Sequence, residues 1–600
     1  MDSLRFRGMF PALHYPLTSI PAILAGCRRC LLRSCVALAL VWTGVPEARA
    51  VVGSNSGDNI FNGLYINQAI GAFTYYQQGY FGGDAIIANV EAGYIWNGHE
   101  TLTHLDTYLS NPDVVDASLG QFDWHATMVG QVLNGRGLYT YQDGIAANAT
   151  VWSSAIATAW TPATMDEEYT GSFEITQESF VYGYTKPLLT GVNGQLANVI
   201  NSSWGFDDST GSNFETITID ALLRSSGAVG VFSAGNSGPG TGTVGSPAAG
   251  FNGISVGALT DDTGLTPFTT VASFSSRGPI DFFNPVTHEL LHGVRTGVDI
   301  VAPGDNLTLA FYGGVTGGHV TGSDPTMGEF QGQYYIPNMG GTSFSSPIVA
   351  ASAALMVDAG KSFGGGEIID PRVIKAILLT SATKTPGWDN GQHLDPDGVI
   401  RTTQALDYAA GAGALNLDVA YHIQIGDPLG FGIRILGLNT TAGIGGLGGG
   451  MVLHRGWDFG LATSTAPVDY FLIEPINGGD ILTATLTWFA NRTFNSDTQI
   501  PTDESLDDLA LQIWLDLAGV PTTLVAESNA AYSTVEHLNV ILPENGTYSL
   551  RVLWEGEVYG PGTDTQQDFG ISWNVTPTPE PGSVVLVLCG AAVVVRRRRR

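Results

Sequence analysis

The chain has 600 residues, 44% of them hydrophobic, and a formal net charge of −30 from 25 basic and 55 acidic residues. That length exceeds one ordinary domain and supplies more than one core, while the acidity argues against nucleic acid or an anionic membrane surface as a partner. All four cysteines, Cys27, Cys30, Cys35 and Cys589, lie near the ends, so no disulfide is expected to staple the folded part.

In chain order, Arg28, Arg29 and Arg33 precede the apolar run Val36 to Trp42, and Ala48-Arg49-Ala50 has the small-x-small form of a secretory cleavage site. Residues 1–50 therefore read as an export segment, with a mature start near Val51. Next, Ile86-Ile87-Ala88-Asn89-Val90-Glu91 predicts a buried strand that ends on a carboxylate, and a buried carboxylate needs a partner.

From 84 to 421 short apolar runs alternate with helical patterns. Ala85 to Val90, Thr150 to Ala157, Ala197 to Ser202, Ala228 to Ser233, Gly253 to Leu259 and Val298 to Ala302 read as strands. Helices are predicted to begin near His125, Phe214, Ser343 and Pro371, with Pro347 in the first turn of its helix. This interleaving predicts an α/β domain over 51–421, a doubly wound, mostly parallel sheet. Segments 158–195 and 305–340 read as surface insertions or hairpins.

Beyond Tyr421 the period becomes two. Leu482, Ala484, Leu486 and Trp488 alternate with Thr483, Thr485 and Thr487, and similar alternation runs through Leu509 to Leu515 and Tyr548 to Trp554. A C-terminal β-sandwich over 422–575 is predicted, with Gly443 to Gly450 as a long turn or a linker. Trp488, Trp514 and Trp554 fall in strand patterns, where core packing is the commoner role. Over 576–600, Pro577-Thr578-Pro579-Glu580-Pro581 leads into the apolar run Ser583 to Val595 and then Arg596 to Arg600. That run falls short of the roughly 20 residues of a full span, so a marginal, positive-inside anchor is expected. The tripartite pattern resembles the PEP-CTERM sorting signal, which implies export and handling by sorting and processing machinery at the cell envelope.

Chemistry concentrates in four segments. Gly340-Gly341-Thr342-Ser343-Phe344-Ser345-Ser346-Pro347 opens a small-residue helix on a serine. Trp124-His125-Ala126-Thr127-Met128-Val129-Gly130 opens a helix on a histidine, and Ser233-Ala234-Gly235-Asn236-Ser237-Gly238 ends a strand on an asparagine. Glu91 closes the strand described above. Taken singly, each has a bland reading as a cap, a surface histidine or a turn former. Their order of acid, histidine, asparagine and serine is what serine hydrolysis needs on such a sheet.

Here the chain resembles the subtilisin-like serine peptidases, or subtilases, over residues 51–421. Their serine motif appears as Gly341 to Pro347, the histidine motif as His125 to Gly130, and the oxyanion segment as Ser233 to Gly238. Ala272 to Pro279 and Asp299 to Gly304 match further landmarks. The resemblance implies that Ser343 is the nucleophile, His125 the general base and acid, Asn236 an oxyanion donor and Glu91 the acid that orients His125. It also implies that Ser202, Ser203, Trp204, Gly205 and Gly235 bind the peptide substrate, with Trp204 shaping the pocket for the residue before the cut.

The family has aspartate where this chain has Glu91, and glycine where it has Ala126. Those departures define the alternative to an exported endopeptidase: a catalytically impaired, subtilase-like surface protein that binds peptides or envelope matrix. The sedolisins pair a glutamate with a serine, but the histidine motif around His125 argues for the subtilases. The resemblance implies polypeptide substrates and no cofactor for the chemistry; structural calcium is not readable. Asp395-Pro396-Asp397-Gly398 reads as a turn, without the spacing of an EF-hand.

Overall fold

The computed structural model describes residues 66–109, 117–137, 143–161, 172–260, 268–314, 316–318, 335–425, 449–517 and 519–578. The expected export segment at 1–50, the sorting segment from 579 onward and most of the glycine-rich run at 443–450 lie outside them.

Seven strands form the main path of an eight-stranded sheet: β1 (Ile86–Glu91), β2 (Thr107–Leu109), β3 (Thr150–Ala155), β4 (Val199–Ser202), β5 (Val229–Ser233), β6 (Ile254–Thr260) and β7 (Ile300–Pro303), with the short strand Thr270–Val271 joined antiparallel to β6. They lie in the order β7-β6-β5-β4-β1-β3-β2, and every neighbouring pair among them is parallel. Apolar runs rather than alternation mark these strands because helices cover the sheet; β1 is buried at all six positions. Strand order reverses around β1, whose neighbours β3 and β4 are reached in opposite directions. Such a switch opens a crevice at the carboxyl ends of the strands, where Glu91 and Ser203 stand.

The helices that matter are α1 (Trp124–Asn134), α2 (Gln177–Thr185), α3 (Phe214–Ser226), α4 (Thr342–Ser362), α5 (Pro371–Ser381) and α6 (Leu417–Gln424). Helix α4 is long and apolar enough to cross a membrane by composition, yet it is 94% buried, packed across β4 to β7 and against α1. Small residues such as Ala350, Ala351, Ala353 and Ala354 permit that close approach. Its start agrees with the expected Ser343 to one residue, but the place of Pro347 differs. The helix begins at Thr342, so Pro347 sits inside it rather than in its first turn and cannot return a hydrogen bond to the Ser343 carbonyl.

Segment 305–340 contains the expected hairpin, Leu307–Ala310 with Tyr335–Met339. Segment 158–195 contains a small hairpin, Ala159–Thr161 with Ser172–Glu174, and also α2, which the sequence pattern did not announce.

The strand-rich C-terminal region contains β8 (Arg455–Thr463), β9 (Val468–Leu472), β10 (Ile481–Trp488), β11 (Asn491–Asn495), β12 (Ile500–Leu517), β13 (Val520–Ser528), β14 (Val535–Ile541), β15 (Thr547–Tyr559) and β16 (Gln566–Thr576). One antiparallel sheet runs β8-β16-β10-β14, and β13-β12-β15-β9 belong to another. Leu482, Leu538 and Ile571 of the first share a core with Leu511, Leu550 and Tyr470 of the second.

The described residues all belong to one compact unit. Strand Ile400–Arg401 from the first part of the chain pairs with β13, and α6 runs through residue 421. Asp395 and Asp397 of the expected turn both bind Arg401, at 2.6 and 3.0 Å.

Candidate active site

Strand β1 carries Glu91 to the crevice, and helix α1 starts beside it. Asp123 caps α1, its side chain accepting the Ala126 N–H at 3.0 Å, which leaves His125 in the first turn facing the strand end. The sequence reading missed Asp123, although an aspartate at a helix start is a readable cap signal.

Glu91 is 1% exposed and both its oxygens are engaged. Oε2 lies 3.2 Å from His125 Nδ1, and Oε1 accepts the Ser203 N–H at 2.8 Å. The partner that the sequence demanded is thus His125, with a backbone amide holding the other oxygen. Burial of the imidazole disfavours its charged form, but the Glu91 hydrogen bond and charge, with Asp123 behind them, outweigh this and raise the His125 pKa above 6.5.

Asn236 and Ser343 meet at the other side. Asn236 Oδ1 accepts both the Thr342 N–H at 2.9 Å and the Thr342 hydroxyl at 3.0 Å. A residue more than a hundred positions earlier in the chain therefore caps α4, and the same bonds fix the amide so that Nδ2 is its free, donating end. Gly235 is held against the same turn, its N–H bonded to Thr342 Oγ1 at 3.1 Å, with a φ of 106° that favours glycine. Ser343 N–H belongs to the first helical turn, where no intrahelical acceptor exists. The Ser343 hydroxyl donates to the Ser203 carbonyl at 3.2 Å, and the His125 ring packs 6.0 Å from the ring of Phe344, next in sequence.

A polar network lies behind these groups. Asn201 Nδ2 bonds Asn89 Oδ1 at 2.9 Å, while Asn201 Oδ1 accepts from Ser346 Oγ at 2.9 Å. It ties β1, β4 and α4 together one helical turn past Ser343, and Ser202 adds a bond to Tyr184 of α2 at 2.7 Å.

A cleft of about 220 Å³ is lined by Ser203, Trp204 and Gly205 on one side and by Gly235 and Asn236 on another, with Ser343 at its mouth. Trp204 does more than line it. Its indole N–H donates to the Val90 carbonyl at 3.1 Å, and its ring sits among Phe173, Phe180, Tyr184 and Phe206. Among the described residues, no group of three or more histidine, cysteine, aspartate or glutamate side chains is arranged to hold a metal ion.

Comparison with known proteins gives the family. Residues 103–412 match the model of the subtilase family, a span that contains His125, Asn236 and Ser343 while Glu91 precedes it. The chain is 31% identical over 192 residues to the subtilisin-like protease SBT1.7 of Arabidopsis thaliana, covering 31% of this chain and 22% of that protein. It is 34% identical over 211 residues to the serine protease AprX of Bacillus subtilis (strain 168), covering 33% of this chain and 38% of that one. The matched region is thus well under half of each relative. Among solved structures, the prenylagaramide maturation protease PagA aligns with 59% of this chain and 98% of its own, at 21% identity and a TM-score of 0.38. Matching that model over half of its length, the chain belongs to the subtilase family.

Proposed function

We propose that this subtilase is an exported serine endopeptidase that hydrolyses peptide bonds through Glu91, His125 and Ser343. The observation that carries the reading is the Glu91 carboxylate, which is bonded to His125 Nδ1 and to the Ser203 N–H at once. Glutamate is one methylene longer than aspartate, and a misplacement near 1 Å can cost on the order of 100-fold in rate. Here the backbone amide of Ser203 takes up one oxygen and leaves the other facing the imidazole.

In the reaction, the substrate strand lies along Ser203-Trp204-Gly205, with the side chain before the cut in the adjoining cleft. Ser343 Oγ attacks the carbonyl carbon while His125 Nε2 accepts its proton, and the Asn236 Nδ2 and Ser343 N–H groups receive the oxyanion. His125 then gives that proton to the leaving amine, and the acyl-enzyme is hydrolysed by water activated in the same way. The Ser343 hydroxyl must first turn from the Ser203 carbonyl toward His125. Polypeptides are the substrates. The strand-rich region reads as a β-sandwich that stabilises the peptidase part, and the end segments support export and envelope sorting.

One observation favours the alternative of a catalytically impaired binding protein, namely that Ser343 donates to Ser203 rather than to the base. Intact-mass analysis after fluorophosphonate treatment decides between them. A single adduct on the chain and none on Ser343→Ala is expected; a folded chain that takes up no adduct would overturn the peptidase reading.

A further inference from the structure

The cleft beside Ser343 has a polar lining and a single charged residue. Ser233, Ser237, Thr243 and Ser246 bring hydroxyls to it, and Asp207 is the one lining residue that carries a charge. The backbone puts Asp207 there. After Gly205 the chain pairs with the far wall, the Phe206 and Ser246 N–H groups each donating to the other's carbonyl at 3.0 Å. A Cβ on Gly245 would stand 2.3 Å from the Phe206 carbonyl oxygen, so the glycine lets the segment that carries Asp207 close against that wall.

Asp207 is exposed and has no hydrogen-bond or ion-pair partner among the described residues. A second carboxylate follows it. Asp208 Oδ2 accepts the Ser246 hydroxyl at 3.0 Å and its Oδ1 accepts the Thr210 N–H at 2.9 Å, which pins its charge behind a residue that lines the cleft. The Arg295 guanidinium reaches the same loop, but it is occupied by the carbonyls of Thr210, Ala249 and Gly250. An apolar side chain entering this space would strip water from hydroxyls and a carboxylate without replacing it. An ammonium or guanidinium replaces that water with a charge-assisted hydrogen bond.

On the peptidase reading of this cleft, we propose that it selects lysine or arginine as the residue before the cut, with Asp207 receiving the cation and Asp208 adding a second negative charge behind Ser246. The aliphatic stem of such a side chain would lie along the Gly205 and Gly235 backbones, which line the cleft. A carboxylate in the pocket for that residue is a means by which a serine peptidase is made selective for basic chains. Because Asp207 is exposed, solvent screens the pair, and the preference is expected on the order of tenfold rather than a thousandfold.

The test compares, on the full chain, fluorogenic peptides identical except for lysine, norleucine or glutamate before the cut. kcat/KM for lysine is expected about tenfold above that for norleucine, its uncharged counterpart, with glutamate the poorest. The chain's overall negative charge favours any cationic peptide, so variants must assign the preference to the cleft. Asp207→Asn, which has no partner to lose, should lower the lysine-to-norleucine ratio about fivefold, and Asp207→Lys should place glutamate above lysine. Equal rates for lysine and norleucine, or a ratio unmoved by both variants, overturns the proposal. Fluorophosphonate labelling keeps that failure apart from failure of the peptidase reading, since a chain that takes up the adduct yet ignores the charge refutes the specificity alone. If no adduct forms, calorimetry on Ser343→Ala reads the same contrast as binding of peptides that end in lysine or norleucine. A lysine peptide bound about tenfold tighter, with the gain lost in Asp207→Asn, supports the cleft assignment; equal affinities overturn it.

Discussion

At the residue scale, the proposed triad turns on how Glu91 is held. Glu91 is satisfied twice, by His125 and by the Ser203 amide, and its charge raises the His125 pKa against the effect of burial. Proton acceptance from Ser343 needs neutral imidazole, so the acid limb of kcat/KM is expected above pH 6.5, rising as His125 loses its proton. Glu91→Gln removes the charge and should move that limb to lower pH, while turnover falls by up to about 10⁴-fold because the tautomer is no longer fixed. A pH–rate profile checks both; a limb that stays in place would remove Glu91 from the triad. The acid was legible in the sequence because an apolar strand cannot end on an unpaired carboxylate without cost. Its second partner was not, because a backbone amide has no sequence signature.

At the scale of elements, α3 and β11 are joined by a buried ion cluster. Arg492, 1% exposed in its side chain, binds Asp220 at 2.9 Å and Asp503 at 2.8 Å, and its guanidinium lies 4.8 Å from the Phe251 ring. Burial pushes the Asp220 carboxyl up despite Arg492 beside it, so the pair is no simple source of stability; desolvation offsets much of the attraction. Losing one partner is another matter, because two carboxylates would be left buried. Arg492→Met is expected to destabilise the protein by about 3–5 kcal/mol, measured as a shift in the denaturant midpoint, with Asp220→Asn in the same background recovering part of the loss. The sequence showed α3 and β-strand periodicity but gave no hint of this cluster, since Asp220 lies 272 residues from Arg492.

At the scale of the whole molecule, the peptidase part and the strand-rich region share a continuous interface. Thr485 and Thr487 alternate with core residues in β10 and would face water in an isolated sheet. Instead Thr485 Oγ1 bonds Thr380 of α5 at 2.8 Å, and Thr487 bonds the Arg372 carbonyl at 2.8 Å. Gly570 of β16 lies so close to α5 that a Cβ there would stand 2.5 Å from the Arg372 carbonyl carbon. Asn252 bonds Ala490 in both directions, at 3.0 and 2.8 Å. A chain ending at residue 425 would expose that face of α5 and leave Asp220 without Arg492. It is therefore expected to be aggregation-prone and quickly proteolysed, as limited proteolysis beside the full chain would reveal. A stable, fluorophosphonate-reactive truncation would show the interface to be dispensable.

What the sequence determined by itself was local or periodic. It held the buried parallel strands, the starts of α1 and α4, the two-residue period beyond Tyr421 and the serine, histidine and asparagine segments, because each is written in consecutive residues. Tertiary structure alone decided what depends on distant groups meeting. It turned Asn236 into a cap for α4, gave Glu91 a second donor in Ser203 and made Trp204 a brace for the Val90 carbonyl. It also buried the threonine face of β10 under α5. Period two marks which side chains share a face, but whether that face meets water or a helix is settled only when the chain closes on itself.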